Sequence, residues 1–184
     1  MQRASISRFV CVQGGVAAIE MAFILPVLLI MLFGLIDATT ALSDARRLSH
    51  SASVVAETVT RLATPATAAQ IDDAFEAAGL LLRNAHTQNI RIEIHNYRLV
   101  NGESNLEWSH DNSVSGNCDD PVKSALADLM TQGNDVIVAV VCGEHVPIMA
   151  GLVSEPLLGN DAILLRRQFA MRMRNSGTFN CSNC

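Results

Sequence analysis

An uncharged apolar run at residues 21–36 constrains this chain more than any other feature of its sequence. Together with the small and apolar residues 16–19 it supplies the ~20 residues that a helix needs to cross a ~30 Å hydrocarbon layer. The core helix of a soluble protein would carry a polar stripe, and this run carries none. The pattern therefore predicts one transmembrane helix over residues 16–42.

The flanking charges predict the orientation of this helix. Arg3 and Arg8 precede it with no acidic residue between them, which favours a cytoplasmic N-terminus. Arg46 and Arg47 on the far side oppose that bias, although acidic residues stand close to them. We expect residues 1–15 to be a cytoplasmic leader. The part of the chain after about Leu42 should lie on the opposite side of the membrane.

A glycine and a glutamate mark the start of the apolar segment. Gly15 is followed by residues 16–19 and then by Glu20, whose carboxylate would cost at least a few kcal/mol in lipid unless it is paired. Cleavage after Gly15 would free the α-amino group of Val16 and make Glu20 the fifth residue of the new chain. That amine could pair with Glu20 in the same chain or in a neighbour, so one hypothesis explains both features.

Gly15, Glu20 and the apolar helix resemble the prepilin-peptidase (class III) signal of type IV pilins. Residues 15–26 further resemble the TadE-like family, the TadE/TadF-type pseudopilins of tight-adherence (Tad/Flp) pilus systems. Met21 stands where that family usually has an aromatic residue. Residues 170–174 resemble the closing strand of the family, with its alanine, methionine and arginine.

The resemblance implies a structural protein, a minor pilin or pseudopilin, and not an enzyme. A prepilin-type peptidase would cut between Gly15 and Val16, and Glu20 would act in assembly. The expected partners are that peptidase, other pilin or pseudopilin subunits, the pilus machinery of the inner membrane and membrane lipid. The expected location is the bacterial inner membrane, with the C-terminal domain in the periplasm or carried into a pilus.

Two other interpretations stay open. The chain could be a membrane-anchored periplasmic binding or sensing module that keeps Met1. It could also be a secreted protein cut at an ordinary late site at residues 41–43, which would then begin at Asp44. A pilin-like subunit would begin at Val16.

The remainder predicts an α+β fold: a long N-terminal transmembrane and stalk helix, and a small periplasmic head at residues 64–184 built on a mainly antiparallel sheet. Apolar residues at three- and four-residue steps extend the helix as an amphipathic stalk over residues 43–63, with Pro65 ending it. Thr67 and Gln70 form a capping-box pattern for a short second helix.

The rest of the head is predicted from alternation and turn residues. A half-buried strand covers residues 90–94, and the Asn101-Gly102 turn leads to a return strand. Further along the chain we expect a helix at 119–130, a buried strand at 135–141, a loop or short helix at 146–160, and a final strand at 163–173 with a basic outer face.

Four of the five cysteines would remain after cleavage: Cys118, Cys142, Cys181 and Cys184. An even set in a periplasmic domain predicts disulfides, and of the three possible pairings we favour Cys118–Cys142 with Cys181–Cys184. A redox pair at Cys181 and Cys184 lacks a preceding βαβ pattern. A zinc site lacks a second ligand pair at suitable spacing.

No sequence motif predicts catalysis, a cofactor or a metal site. The net charge of −5 argues against a nucleic-acid partner. The five histidines include no pair at the spacing of a metal site, and there is no Gly-rich phosphate loop and no Gly-x-Ser-x-Gly motif. Glu144-His145, after the buried strand, is the strongest enzymatic candidate.

Overall fold

The structure is a computed structural model that describes part of the chain: residues 13–83, 85, 87–116, 118, 121, 126, 128–131, 133–147, 162–173 and 178–184, without the side chains of residues 13–17. The first twelve residues of the leader, most of the helix predicted at 119–130 and nearly all of the loop at 146–160 lie outside the described residues.

Helix α1 is a single element of 48 residues, Gln13–Thr60. It joins the predicted transmembrane and stalk segments without a break, so the long N-terminal helix is confirmed. It ends before the predicted boundary near Ala63, because the chain first tightens into i→i+3 bonds. The amides of Arg61 and Leu62 donate to the carbonyls of Thr58 and Val59, both at 3.1 Å.

The two halves of α1 meet different surroundings. The large apolar side chains between residues 19 and 32 are 42–76% exposed. From Asp44 onward, one face is buried in the head at steps of three and four residues: Leu48, Ala52, Val55, Ala56 and Val59. The amphipathic stalk predicted from the sequence is therefore present, and it forms the centre of the head's core.

Helix α2, Ala68–Leu82, follows the two-residue strand β1, Ala66–Thr67. Its capping box is confirmed: the Gln70 amide donates to Thr67 Oγ1 at 3.4 Å, and the Thr67 amide donates to Gln70 Oε1 at 3.1 Å. Its buried residues, Ile71, Ala74, Phe75, Ala78 and Leu82, belong to the same core as the buried face of α1.

The main sheet has four strands: β2 (Thr87–Val100), β3 (Glu103–Asp111), β4 (Asp135–His145) and β5 (Ile163–Arg172). Their order in the sheet is β3-β2-β4-β5, and all neighbours are antiparallel. Asn101 and Gly102, with φ of 55° and 84°, make the predicted turn from β2 to β3. Strand β6, Cys181–Ser182, pairs in parallel with β1. The α+β prediction with a mainly antiparallel sheet is confirmed.

Strand β2 has buried residues on both faces of the sheet, which corrects one prediction. Strand β2 is not half-buried, because Ile92 packs towards α1 and α2 while Tyr97 packs on the opposite face. The opposite face is covered by residues of the segment between β3 and β4, among them Cys118 and Leu126, which are fully buried.

The same segment provides acceptors for two arginines of β5, the strand that was predicted to have a basic outer face. Arg166 Nε donates to the carbonyl of Cys118 at 2.8 Å. Arg172 donates to the carbonyls of Leu129 and Asp128, the latter at 3.0 Å. These guanidinium groups satisfy backbone carbonyls of described residues in the segment between β3 and β4. Strand β5 is also not the final strand, because β6 follows it.

The structure pairs the four head cysteines as the sequence favoured. Cys118 and Cys142 form a disulfide with Cα atoms 5.8 Å apart, which fastens the covering segment to β4. Cys181 and Cys184 form the second, with Cα atoms 5.7 Å apart, next to the short β1–β6 pair.

Mapping the mature protein under non-reducing conditions should therefore find no free thiol and a peptide that joins Cys118 to Cys142. Replacing both of these cysteines by serine should lower the free energy of unfolding by about 3 kcal/mol, because the bond closes a long loop, whereas the short loop between Cys181 and Cys184 should contribute less. Free thiols in an oxidising preparation would contradict the pairing and reopen the metal interpretation.

Candidate membrane-anchoring and assembly site

The expected cleavage point lies near the first of the residues that the structure describes. Helix α1 is described from Gln13 onward, so the peptide bond between Gly15 and Val16 is part of its helical backbone. Cleavage there would leave Val16 as the first residue of α1.

Glu20 lies one turn beyond Val16, about 6 Å along the helix axis. It is exposed, and its neighbours are exposed and apolar: Ile19 at 62%, Met21 at 59% and Phe23 at 76%. The carboxylate is thus set into a surface that only lipid or the helix of another subunit could cover favourably. A cation that is brought to this level would be a strong partner for it.

Pro26 lies inside α1, six residues after Glu20. It has no amide hydrogen to donate to the carbonyl of Ala22, so the helix lacks one backbone bond at this level. In a membrane span, neighbouring groups can satisfy the freed carbonyl. This segment should bend or loosen more readily than the rest of α1.

Beyond this end of α1, the structure does not bring the sequence-predicted residues into one site. Gly15, Val16 and Glu20 share the first turns of the helix, whereas the four cysteines staple the head. The residues on α1 could serve membrane anchoring and assembly, and the disulfides stabilise the head.

A buried pair at the start of the stalk was missed from the sequence. His145 Nδ1 lies 3.1 Å from Asp44 Oδ2, and the two side chains are 1% and 2% exposed. His145, the enzymatic candidate, therefore fastens β4 to α1 and does not face an open site. The available signal was that Asp44 precedes Leu48 by four residues and so shares the buried face of the helix.

A second buried network lies near the opposite end of β4. The fully buried carboxylate of Asp135 accepts hydrogen bonds from Arg98 (2.6 and 2.9 Å), Asn96 (3.0 Å) and the amide of Phe179 (2.6 Å). Burial alone raises the pKa of Asp135, but the hydrogen bonds from Arg98, Asn96 and Phe179 outweigh it, and the net pKa lies below its ordinary value. The network ties the C-terminal segment to the sheet.

A groove of about 470 Å³ lies between α2 and β3. His110 Nε2 is 2.8 Å from Asp72 Oδ1 in this groove, and the His110 ring stacks on Phe75 with centroids 5.7 Å apart. Within the residues that the structure describes, no three His, Cys, Asp or Glu side chains form a metal-binding group. The histidine of this groove is held by its neighbours in the fold.

The Asp135 network predicts a specific acid sensitivity. Because the pKa of Asp135 is lowered in the folded protein, its contribution to stability is present above the ordinary carboxyl pKa. That contribution is lost as the pH falls through the lowered value. Asp135→Asn should cost about 3 kcal/mol at neutral pH and should flatten the acid limb of the stability profile.

The measurement is urea unfolding in detergent, followed by the fluorescence of the single tryptophan, Trp108, which donates to the Phe179 carbonyl at 3.1 Å. Glu107→Gln is the matched control, because Glu107 bonds the same Arg98 at 3.0 Å from a more exposed position and should cost less than about 1 kcal/mol. Equal losses for the two variants would contradict the assignment.

The comparisons with known proteins bear on α1. Residues 15–57 match the family model described as TadE-like protein. No match was found among curated proteins or among solved structures. The matched range begins at the glycine of the expected cleavage point and ends inside the buried stalk. It confirms the resemblance seen in the sequence: residues 15–57, which lie on α1, are similar to the TadE-like family.

Proposed function

We propose that this chain is a pilin-like structural subunit, a minor pilin or pseudopilin, of a tight-adherence type IV pilus. It is anchored in the bacterial inner membrane by α1, with its head in the periplasm, and a prepilin-type peptidase cuts it between Gly15 and Val16. One observation carries the proposal: the unbroken helix α1 holds the cleavage motif, Glu20, the exposed apolar surface and the stalk, and the TadE-like match lies on it.

The exposed surface of α1 supports membrane insertion. The helix is long and apolar enough to span a bilayer, and the head buries none of its most apolar stretch. Fully covering one large aliphatic side chain is worth about 1.5–3 kcal/mol, so this surface is very costly in water. Lipid can cover it before assembly, and the helices of other subunits can cover it afterwards.

The head supports a structural role. Its most deeply buried charged groups, Asp135 and Asp44, are engaged with Arg98 and with His145. Two disulfides add crosslinks that suit an oxidising compartment. These features stabilise a small domain, as a structural role requires.

Processing can be tested by changing the glycine at the expected site. Gly15→Leu should leave a precursor that still carries residues 1–15, because the peptidase requires a small residue there. Intact mass of the membrane-extracted protein measures this. Gly34→Leu is the matched control, since a Cβ at Gly34 meets no atom within 4 Å and the variant should mature normally. Normal maturation of Gly15→Leu would place the cleavage elsewhere.

The role of Glu20 can be separated from cleavage. Glu20→Gln keeps the size and polarity of the side chain but removes its charge, so it cannot form an ion pair with the amine at residue 16. We expect this variant to be cleaved, inserted and folded, yet to fail in joining its partner subunits and in producing pili. Co-purification with the partners and counting of surface pili measure these steps.

Glu57→Gln is the control for Glu20→Gln. It removes another carboxylate from α1, one that pairs with Arg61 four residues later on an exposed surface, a pair worth only about 0.5 kcal/mol. Pili should form normally in this strain. Normal pili in cells that carry only Glu20→Gln would show that the carboxylate is dispensable.

A further inference from the structure

We propose that the membrane-proximal end of the head is itself a lipid-binding surface, which rests on the headgroups of the bilayer that α1 crosses. We call this end the base. Among the described residues, it comprises the first turn of α1 within the head, which starts at Asp44, and the last turn of α2. It also comprises the end of β4 at His145 and the start of β5 at Ile163 and Leu164. The inference rests on the proposed function in one respect only, that α1 spans a membrane.

The base faces the membrane because α1 runs along the strands. Asp44 contacts His145 at the end of β4, and Thr60 Oγ1 lies 3.4 Å from the sulfur of Met171, which pairs with Ile137 near the start of β4. Residues 44–60 of a helix cover about 24 Å, and residues 137–145 of a strand cover about 26 Å. The two elements are therefore nearly antiparallel, and the strands stand upright when α1 crosses a bilayer.

The helix also holds the base close to the lipid. The uncharged apolar run ends at Ile36, and burial in the head begins at Asp44. Those eight residues correspond to about 12 Å along the axis, and the headgroup layer is about 5–8 Å thick on each side of a bilayer. Because α1 is continuous here, no flexible linker lifts the head away.

The base carries exposed apolar side chains. His145 pairs with Ile163 and Glu144 with Leu164, so the start of β5 lies at the end of β4. Ile163 and Leu164 are 50% and 49% exposed, and Val146, directly after β4, is 44% exposed. These side chains are costly in water and suited to the boundary between headgroups and acyl chains.

The last turn of α2 adds to the same end. Ser51 Oγ donates to the carbonyl of Ala78 at 3.5 Å, which places the C-terminal part of α2 beside the lower part of the stalk. Leu80 and Leu81 in this turn are 65% and 41% exposed. Leu42, on α1 just below the head, is 54% exposed and continues the apolar surface towards the span.

Cations at the base complement lipid phosphates. Arg46 and Arg47 are exposed on the first turn of α1 within the head, and Arg83 is exposed directly after α2. Glu144, which pairs with Leu164 at the start of β5, accepts a hydrogen bond from Asn89 at 2.8 Å. Apolar side chains combined with arginines are typical of surfaces that lie in a bilayer interface. This also accounts for Arg46 and Arg47, which oppose the charge bias that orients the span.

The test uses the full chain with Cys11→Ser, reconstituted into vesicles of phosphatidylcholine and phosphatidylglycerol. An environment-sensitive fluorophore is attached to one introduced cysteine at a time: Leu164→Cys at the base, Val100→Cys at the opposite end of the sheet and Phe23→Cys in the span. Val100 is a matched control because it is 40% exposed. Trp108 fluorescence confirms that each labelled protein is folded.

We expect lipids with a shallow quencher to reduce the fluorescence at residue 164 at least about twofold and to leave residue 100 unchanged. Adding Arg46→Gln and Arg47→Gln should weaken the quenching at residue 164. A deep quencher should act on residue 23.

Three results would overturn the proposal. If residue 164 responds like residue 100, to aqueous iodide only, the base does not touch lipid, although quenching at residue 23 would leave the anchor intact. Protection of residue 164 from both quenchers, increasing with protein density, would show that a second copy covers the base. If residue 23 is not quenched by lipid, the anchor itself fails, and the proposed function fails with it.

Discussion

The fold depends on helix α1, whose two halves have different surroundings. In α1, the first half exposes nearly continuous apolar surface, and the second half buries a narrow face of leucine, valine and alanine in the head. The change from one pattern to the other occurs around Asp44 without any break in the backbone. Any displacement of the head on the helix would expose this buried face, so the head and the half of α1 that it buries must move as one body.

The buried polar groups reinforce that coupling. The Asp44–His145 contact fastens β4 to α1 where the helix enters the head. The Asp135 network fastens the C-terminal segment near the other end of the same strand. Separating the two partners of such a pair would leave a buried polar group or charge uncompensated, at a large cost in free energy. The arrangement in which both partners are paired is therefore strongly favoured. Strand β4 is therefore tied at both ends, to α1 and to the chain's last residues.

The local features of this fold could be predicted from the sequence. The apolar run, the Thr67 capping box and the Asn101-Gly102 turn each leave a short-range signature and lie where they were expected. The buried strand, predicted over residues 135–141, is present and continues to His145. The second layer on the sheet was missed because a helix could be predicted within the segment between β3 and β4, but its local pattern does not tell which face of the sheet the segment covers. The acceptors of Arg166 and Arg172 could not be predicted either, since they are backbone carbonyls more than forty residues away. The partner of Asp44 is 101 residues distant, beyond the reach of any local pattern.

The cleavage and assembly site was predicted on a different basis. Gly15 and Glu20 were assigned to cleavage and assembly because a family pattern and a physical anomaly coincide on a few adjacent residues, and these roles stay predictions. The intact mass of the protein extracted from its native membrane tests this central assignment most directly. The account predicts a chain of residues 16–184 that begins at Val16 and lacks four hydrogens, one pair for each disulfide. A chain that begins at Met1 or at Asp44 would contradict it.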